Sequence, residues 1–282
     1  MNLLKLKQLL EQFFIEDIGE RDVTSDTLFP VESQGTLTFL AKEAGIFSGG
    51  DVIKTGFTML DSTIEIELFV RDGESFEVGQ KLAQMTGSMA ALLKGERVVL
   101  NLVQRMSAIA TEANKAVQIL AGTKTQPCDT RKTTPGLRML EKYAVRSGGA
   151  FNHRYGLYDA VMIKDNHISF AGSITQAVEI VKAKLGHTVK IEVETESKEQ
   201  VIEAVQAAAD IIMFDNRTPE EIKQFVQLVP PHIVTEVSGG ITLENLALYR
   251  DCGVDMISLG CLTHSVRALD ISAKVREREG VY

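Results

Sequence analysis

The chain has 282 residues, of which 44% are apolar and 24% charged, and its formal net charge is -8. Such a composition is ordinary for a soluble globular protein of one large or two modest domains. The acidic balance argues against a general nucleic-acid binder, which needs a basic face to displace counterions, and no window holds the ~18 uninterrupted apolar residues of a membrane span.

The opening "MNLLKLKQLLEQFF" carries lysines inside its apolar run and has no small-residue cleavage site. It reads as an amphipathic helix and not a signal peptide, so a cytoplasmic protein without nucleic-acid or membrane partners is expected. Next come short alternating strands in "GTLTFLAKEAGIFSGG" and "STIEIELFVRDGESFEVGQKLAQMTGS", with Asp-Gly and Val-Gly turns, and then a long helix over about 91–120. Together they predict an N-terminal α+β sandwich domain over 1–110. The piece 72–87 looks like half of a lipoyl-type hairpin, but no lysine stands at a tight tip for modification, so it is read as strand–turn–strand.

The second half has a different rhythm. β-branched runs occur at 123–132, 159–165, 189–195, 209–216, 232–240 and 254–260, with helical patterns such as "SITQAVEIVKAKLG" between them. Apolar strands alternating with helices predict a parallel sheet covered on both faces. A closed eightfold barrel needs ~250 residues, so the α/β region 111–264 is expected to form an incomplete, open barrel. The terminal "SVRALDISAKVRERE" is expected to be a helix within 265–282 that packs back on the N-terminal domain.

Cys128, Cys252 and Cys261 show no Cys-x-x-Cys spacing and the five histidines no paired ligand motif, which excludes a disulfide framework and a structural zinc site. Cys128 is expected to be a buried strand residue.

Barrel chemistry gathers at the C-terminal ends of strands. Here those ends deliver Arg131 and Lys132, then Lys164 with Asp165 and Asn166, then Glu192, Glu194 and Glu196, then Asp215 and Asn216, then Glu236 with Ser238, Gly239 and Gly240, and finally Ser258 and Gly260. The stretch "DTRKTTPGLR" (129–138) places three cations close together in an acidic protein. Arginine forks bind carboxylates and phosphates with paired hydrogen bonds, and lysine adds a compact charge. Arg131, Lys132, His153, Arg154 and Lys164 are the candidates for an anion pocket, whereas Arg138, Lys142 and Arg146 read as the solvent face of a helix. Glu194 and Asp215, on neighbouring strands, suit a magnesium ion carried in by a polyphosphate, or the hydroxyls of a sugar. "SGG" and "SLG" at successive strand ends offer backbone N–H groups to a phosphate. The inferred ligands are a phosphate ester with magnesium and a second, carboxylate-rich molecule.

These residues sit in longer motifs: "EDIGERDVTS" (16–25), "GERVVLNLVQRMSAIAT" (95–111), "DTRKTTPGLRMLEKYAV" (129–145), "GGAFNHRYGLYDAVMIKDNH" (148–167), "IEVET" (191–195), "MFDN", "VSGGIT" and "GVDMISLGCLTHSVRALDIS" (253–272). In this order they resemble the quinolinate phosphoribosyltransferases, also called nicotinate-nucleotide pyrophosphorylases (carboxylating). The resemblance implies a sandwich domain on an incomplete barrel, and transfer of phosphoribose from 5-phosphoribosyl-1-pyrophosphate to quinolinate with loss of carbon dioxide. It assigns Arg131, His153, Arg154 and Lys164 to the carboxylates of quinolinate, joined by Arg105 from a neighbouring subunit. Lys132, Glu194 and Asp215 would serve the pyrophosphoryl ribose and Mg2+, with Thr130 beside them, and Ser238, Gly239, Gly240, Ser258, Gly260 and His264 would surround the 5′-phosphate. It further implies a homodimer with shared active sites, open to higher assembly. Competing readings are a phosphoribosyltransferase for another aromatic acid, a Schiff-base aldolase using Lys132 or Lys164, and a non-catalytic phosphoribosyl sensor.

Overall fold

The computed structural model describes residues 1–30 and 32–277. The chain divides into two compact units, one of residues 1–114, 135–149 and 266–282 and the other of 115–134 and 150–265. The first unit is discontinuous in sequence and takes in residues 135–149.

The N-terminal part runs α1 (Leu3–Ile18), α2 (Ser25–Leu28), β1 (Gln34–Ala41), β2 (Gly45–Ile46), α3 (Gly50–Leu60), β3 (Glu65–Leu68), β4 (Ser75–Phe76), β5 (Lys81–Ser88) and the long α4 (Met89–Ile119). The Asn2 side chain starts α1 by accepting the N–H groups of Leu4 and Lys5, two of the donors a helix start leaves unpaired. Leu6, Leu10 and Phe14 lie one turn apart and bury one face of that helix. In β1 the period is two instead: Leu37, Phe39 and Ala41 point inward and are fully buried. Phe39 meets Phe57 of α3 at 6.4 Å between ring centroids, a tilted contact that aromatic rings favour.

The chain continues with β6 (Gln126–Cys128), α5 (Arg138–Ser147), β7 (Val161–Ile163), α6 (Asp165–Ala171), α7 (Ile174–Lys184), β8 (Ile191–Thr195), α8 (Lys198–Gln206), β9 (Ile211–Asp215), α9 (Pro219–Val226), β10 (Val234–Ser238), α10 (Leu246–Tyr249), β11 (Met256–Ser258), α11 (Cys261–His264) and β12 (Ile271–Glu277), of which α5 and β12 belong to the first unit. The expected terminal helix is a strand. β12 pairs antiparallel with β1, Ala273 opposite Phe39, and completes a sheet of order β12-β1-β5-β3. Ile271, Ala273 and Val275 alternate with Ser272, Lys274 and Arg276, and the ladder offered by β1 favours that period over the helical one. The segment does return to the first unit, as expected; residues 278–282 of the expected helix lie outside the described residues.

Six parallel strands build the second unit in the order β6-β11-β10-β9-β8-β7. Strands β6 and β7 follow one another in sequence yet stand at opposite edges, so the barrel is open there. Val193, Ile212, Phe214, Val237 and Ile257 are fully buried, and Phe214 meets Phe225 of α9 edge-on at 5.7 Å. Helix α9 opens with a capping box, Thr218 and Glu221 satisfying each other's backbone N–H groups, and with Pro219 in its first turn. Among the described residues no helix is long and apolar enough to cross a membrane.

Candidate functional site

The C-terminal ends of the six parallel strands surround a cavity of about 780 Å³. Of the residues named from the sequence, Arg105, Asp165, Asn166, Glu192, Glu196 and Glu236 do not line it; Thr130, Arg131 and Lys132 follow β6, His153 and Arg154 precede β7, and Lys164 follows it, all lining the cavity. Glu194 stands one residue before the end of β8 and Asp215 closes β9, while Ser238 closes β10 with Gly239 and Gly240 after it, and Ser258, Gly260 and His264 lie at β11 and beyond.

One side is cationic by construction. The Thr130 hydroxyl accepts the Lys132 N–H at 3.0 Å and turns the chain after β6, and the Thr263 hydroxyl donates to the Lys132 carbonyl at 2.8 Å. Arg154 is half-buried, its Nη1 donating to the Ala160 carbonyl at 3.0 Å. Burial, and then the neighbouring charge of Arg131, pull its pKa below the ordinary guanidinium value. Two guanidinium groups close enough to oppose each other's charge suit an anion of more than one charge.

Strands β8 and β9 add carboxylates to the same cavity. Glu192 and Glu194 are two apart on β8 and face the same way, Glu192 buried and Glu194 reaching the cavity. Glu194 takes an ion pair from Lys164, and the Asn216 amide donates to Asp215 Oδ2 at 2.5 Å. Both carboxylates line the cavity and are of the type that could hold magnesium, which takes one or two protein oxygens alongside those of a polyphosphate. Beyond them Gly239 and Gly240 have φ of +99° and +65°. A Cβ on Gly239 would strike Asn216, and one on Gly260 would come within about 3.0 Å of Lys132 and His264. The absence of side chains there leaves the main chain open to a phosphate.

Under the cavity floor lies a buried polar group that no single motif announced. His153, Glu192 and Glu236 bring ligand-type atoms within 4.8 Å of one another. His153 Nε2 is 3.0 Å from Glu192 and 3.6 Å from Glu236, and the Ser258 hydroxyl donates to Glu236. Glu192 Oε1 is buried without a hydrogen-bond partner among the described residues. Burial, and then the charge of Glu192, push the Glu236 carboxyl up to about 8, so it holds its proton at neutral pH. Asp129, fully buried, accepts the His153 N–H at 2.9 Å and the Asn152 amide at 2.6 Å. Its place before the cationic motif and the i,i+2 spacing of Glu192 and Glu194 were the available signals. Cys128 is buried as expected, and burial raises its thiol well above the usual range, which leaves it unreactive.

Arg105 lies on α4 in the first unit, where its Nε and Nη2 hold the buried Glu141 at 2.8 and 2.7 Å. The expected solvent face of α5 is only partly one: Arg146 is exposed, but Lys142 is fully buried beside Glu141. The alkyl stem of a lysine packs like an aliphatic chain, and helical spacing alone does not separate the two settings.

Two family models cover the chain: the quinolinate phosphoribosyl transferase N-terminal domain matches residues 22–107 and the C-terminal domain 109–274. A probable nicotinate-nucleotide pyrophosphorylase [carboxylating] of Bacillus subtilis is 54% identical over 275 residues, covering 98% of this chain and 95% of its own. Its counterpart in Synechocystis is 42% identical, with 94% and 91% covered. The crystal structure of NadC from Streptococcus pyogenes superposes with a TM-score of 0.95 at 36% identity over 99% of both chains.

Proposed function

The chain belongs to the quinolinate phosphoribosyltransferase family, and from that premise we propose how its cavity divides the work of the reaction. The enzyme transfers phosphoribose from 5-phosphoribosyl-1-pyrophosphate to quinolinate with decarboxylation, giving nicotinate mononucleotide, pyrophosphate and carbon dioxide, a step of de novo NAD biosynthesis. The observation that carries the division is that Arg131, Lys132, Arg154 and Lys164 line one cavity together with Glu194 and Asp215.

Arg131, Arg154 and Lys164 hold the two carboxylates of quinolinate, the forked groups fixing the ring plane. Lys132, with Thr130 turning the chain beneath it, meets the pyrophosphate oxygens that gain charge as the ribose C1–O bond breaks. Glu194 and Asp215 would hold magnesium and the ribose hydroxyls, and the ion would supply positive charge to the leaving pyrophosphate. Ser238, Gly239, Gly240, Ser258, Gly260 and His264 receive the 5′-phosphate. The quinolinate nitrogen forms the new bond to C1. Its ring, now cationic, takes up the electron pair left when the 2-carboxylate departs as carbon dioxide, and a proton then occupies C2. Rigid strand ends suit a reaction in which positioning dominates.

The working unit is a homodimer in which Arg105 of one subunit completes the carboxylate clamp of the other. Specificity is tested by comparing quinolinate with nicotinate under matched phosphoribosyl pyrophosphate. Carbon dioxide and nicotinate mononucleotide should form in equal amounts from quinolinate, and nicotinate should turn over poorly because it lacks the 2-carboxylate. Efficient use of nicotinate would refute the division of the pocket; borohydride trapping of a lysine adduct would point instead to an aldolase.

A further inference from the structure

His153 lines the cavity, but both of its ring nitrogens are engaged away from it. Nδ1 accepts the backbone N–H of Arg154 at 2.8 Å. Nε2 stands 3.0 Å from Glu192 Oε2 and 3.6 Å from Glu236 Oε1. A nitrogen that accepts from an amide carries no proton, so the ring proton is on Nε2 and points at the buried carboxylates. A doubly protonated ring would set an N–H against the Arg154 N–H. A metal on Nε2 would force the proton onto Nδ1 and produce the same clash. The cluster of one histidine and two glutamates is therefore neither a cation clamp nor an ion site.

The same geometry shows what the ring does hold. Asp129 fixes the backbone at His153 and the side chain of Asn152. His153 fixes the next amide, that of Arg154, and the Ala160 carbonyl fixes the tip of the Arg154 side chain. Arg154 is thus tied at both ends, with the imidazole as the strut between its backbone and strand β8. A neutral strut also avoids adding a third positive charge beside Arg131 and Arg154.

We propose that His153 is a positioning residue, a neutral imidazole that bridges buried Glu192 to the Arg154 backbone and so aims the Arg154 guanidinium at a substrate carboxylate, without binding substrate itself. This rests on the quinolinate reading of the pocket and departs from the direct contact that the resemblance assigns to His153.

The test uses the full-length protein labelled with 15N at its five histidines, the His153 signals being those lost in His153→Asn. Long-range proton–nitrogen spectra should show an unprotonated Nδ1 and a protonated Nε2, in the free protein and under saturating quinolinate. A doubly protonated ring in either state overturns the inference. Kinetics supplies a second arm. His153→Phe should raise the KM for quinolinate about tenfold or more and leave that for phosphoribosyl pyrophosphate within about twofold. His153→Asn, whose Oδ1 can take the Arg154 N–H, should recover most of that loss. Equal effects on both substrates would mean a merely structural role, and an Asn variant no better than Phe would mean direct contact; either result overturns the proposal. If calorimetry finds no quinolinate binding at all, the functional reading fails instead, and the tautomer of the free protein still decides the role of His153.

Discussion

Glu236→Gln removes a titratable group and keeps its shape, and the structure sets both the sign and the size of the effect. In the folded protein the Glu236 carboxyl titrates at about 8, raised from 4.5 by burial and by Glu192. Folding therefore takes up a proton between those values, and stability from this group falls as pH rises through the window. Below 4.5 both states are protonated and nothing is lost; above about 8 the penalty is complete. Each pH unit is worth about 1.4 kcal/mol, so at pH 7 the ceiling is ~3 kcal/mol. Glutamine is neutral at every pH and can still accept from Ser258 and donate towards Glu192. We expect the variant to match wild type near pH 5 and to exceed it by about 1–3 kcal/mol at pH 7.5, or roughly 0.5–1 M in urea midpoint. Urea unfolding followed by circular dichroism from pH 5 to 8.5 measures this. Parallel midpoints for the two proteins across that range would refute the assignment of a proton to Glu236.

Three further outcomes are expected. Gly239→Ala, at φ +99° and against Asn216, should destabilise by about 1–3 kcal/mol and weaken phosphoribosyl pyrophosphate binding while calorimetry shows quinolinate binding intact. Glu194→Gln and Asp215→Asn should each flatten the magnesium dependence of turnover by tenfold or so; the Glu194 change also releases Lys164, so quinolinate binding should stay equal or tighten. Arg105→Ala and Lys164→Ala should each be nearly inactive, yet co-expressed they should recover roughly a quarter of wild-type activity, because about half of randomly paired dimers carry one intact site of two; no recovery in tag-purified mixed dimers would remove Arg105 from the shared site.

The strand ends were legible because a parallel strand in an α/β sheet has few other places for polar residues. "IEVET" and "MFD" turn charged just where the buried run stops, and Glu194 and Asp215 consequently face the cavity. The roles of Glu192, Glu236 and Asp129 were not legible in the same way. Whether a carboxylate at such a position meets solvent or a buried histidine depends on what stands opposite it, and the parallel register sets Glu192 of β8 beside Ile211 of β9, not beside its partner His153. The terminal strand is hidden in the sequence for a related reason. "DISAKVRE" satisfies a helical face and an alternating one, and only the free ladder of β1 selects the second. Lys142 shows the limit from the other side, since its spacing predicts the helix it lies in but not its burial there.

The open edge of the barrel gives the cation cluster a physical setting. Each of the other successive strand pairs is closed by a ladder, so a charged group between them must lie above the sheet or displace apolar packing. Between Cys128 of β6 and Val161 of β7 there is only an isolated bridge, Cys128 to Phe151, and the connection there carries Arg131, Lys132, His153 and Arg154. Closing the seam with further apolar strands would bury those charges without a counter-ion, at a cost of several kcal/mol for each unpaired ion. Leaving it open lets Arg131 remain exposed and Arg154 half-buried, held by Ala160 and His153 and still ready for an anion. Incompleteness of the barrel and concentration of charge on one side of the cavity are in this sense a single property: a pocket for a dianion needs cations that stay hydrated when it is empty, and the seam between β6 and β7 is where this fold can keep them so.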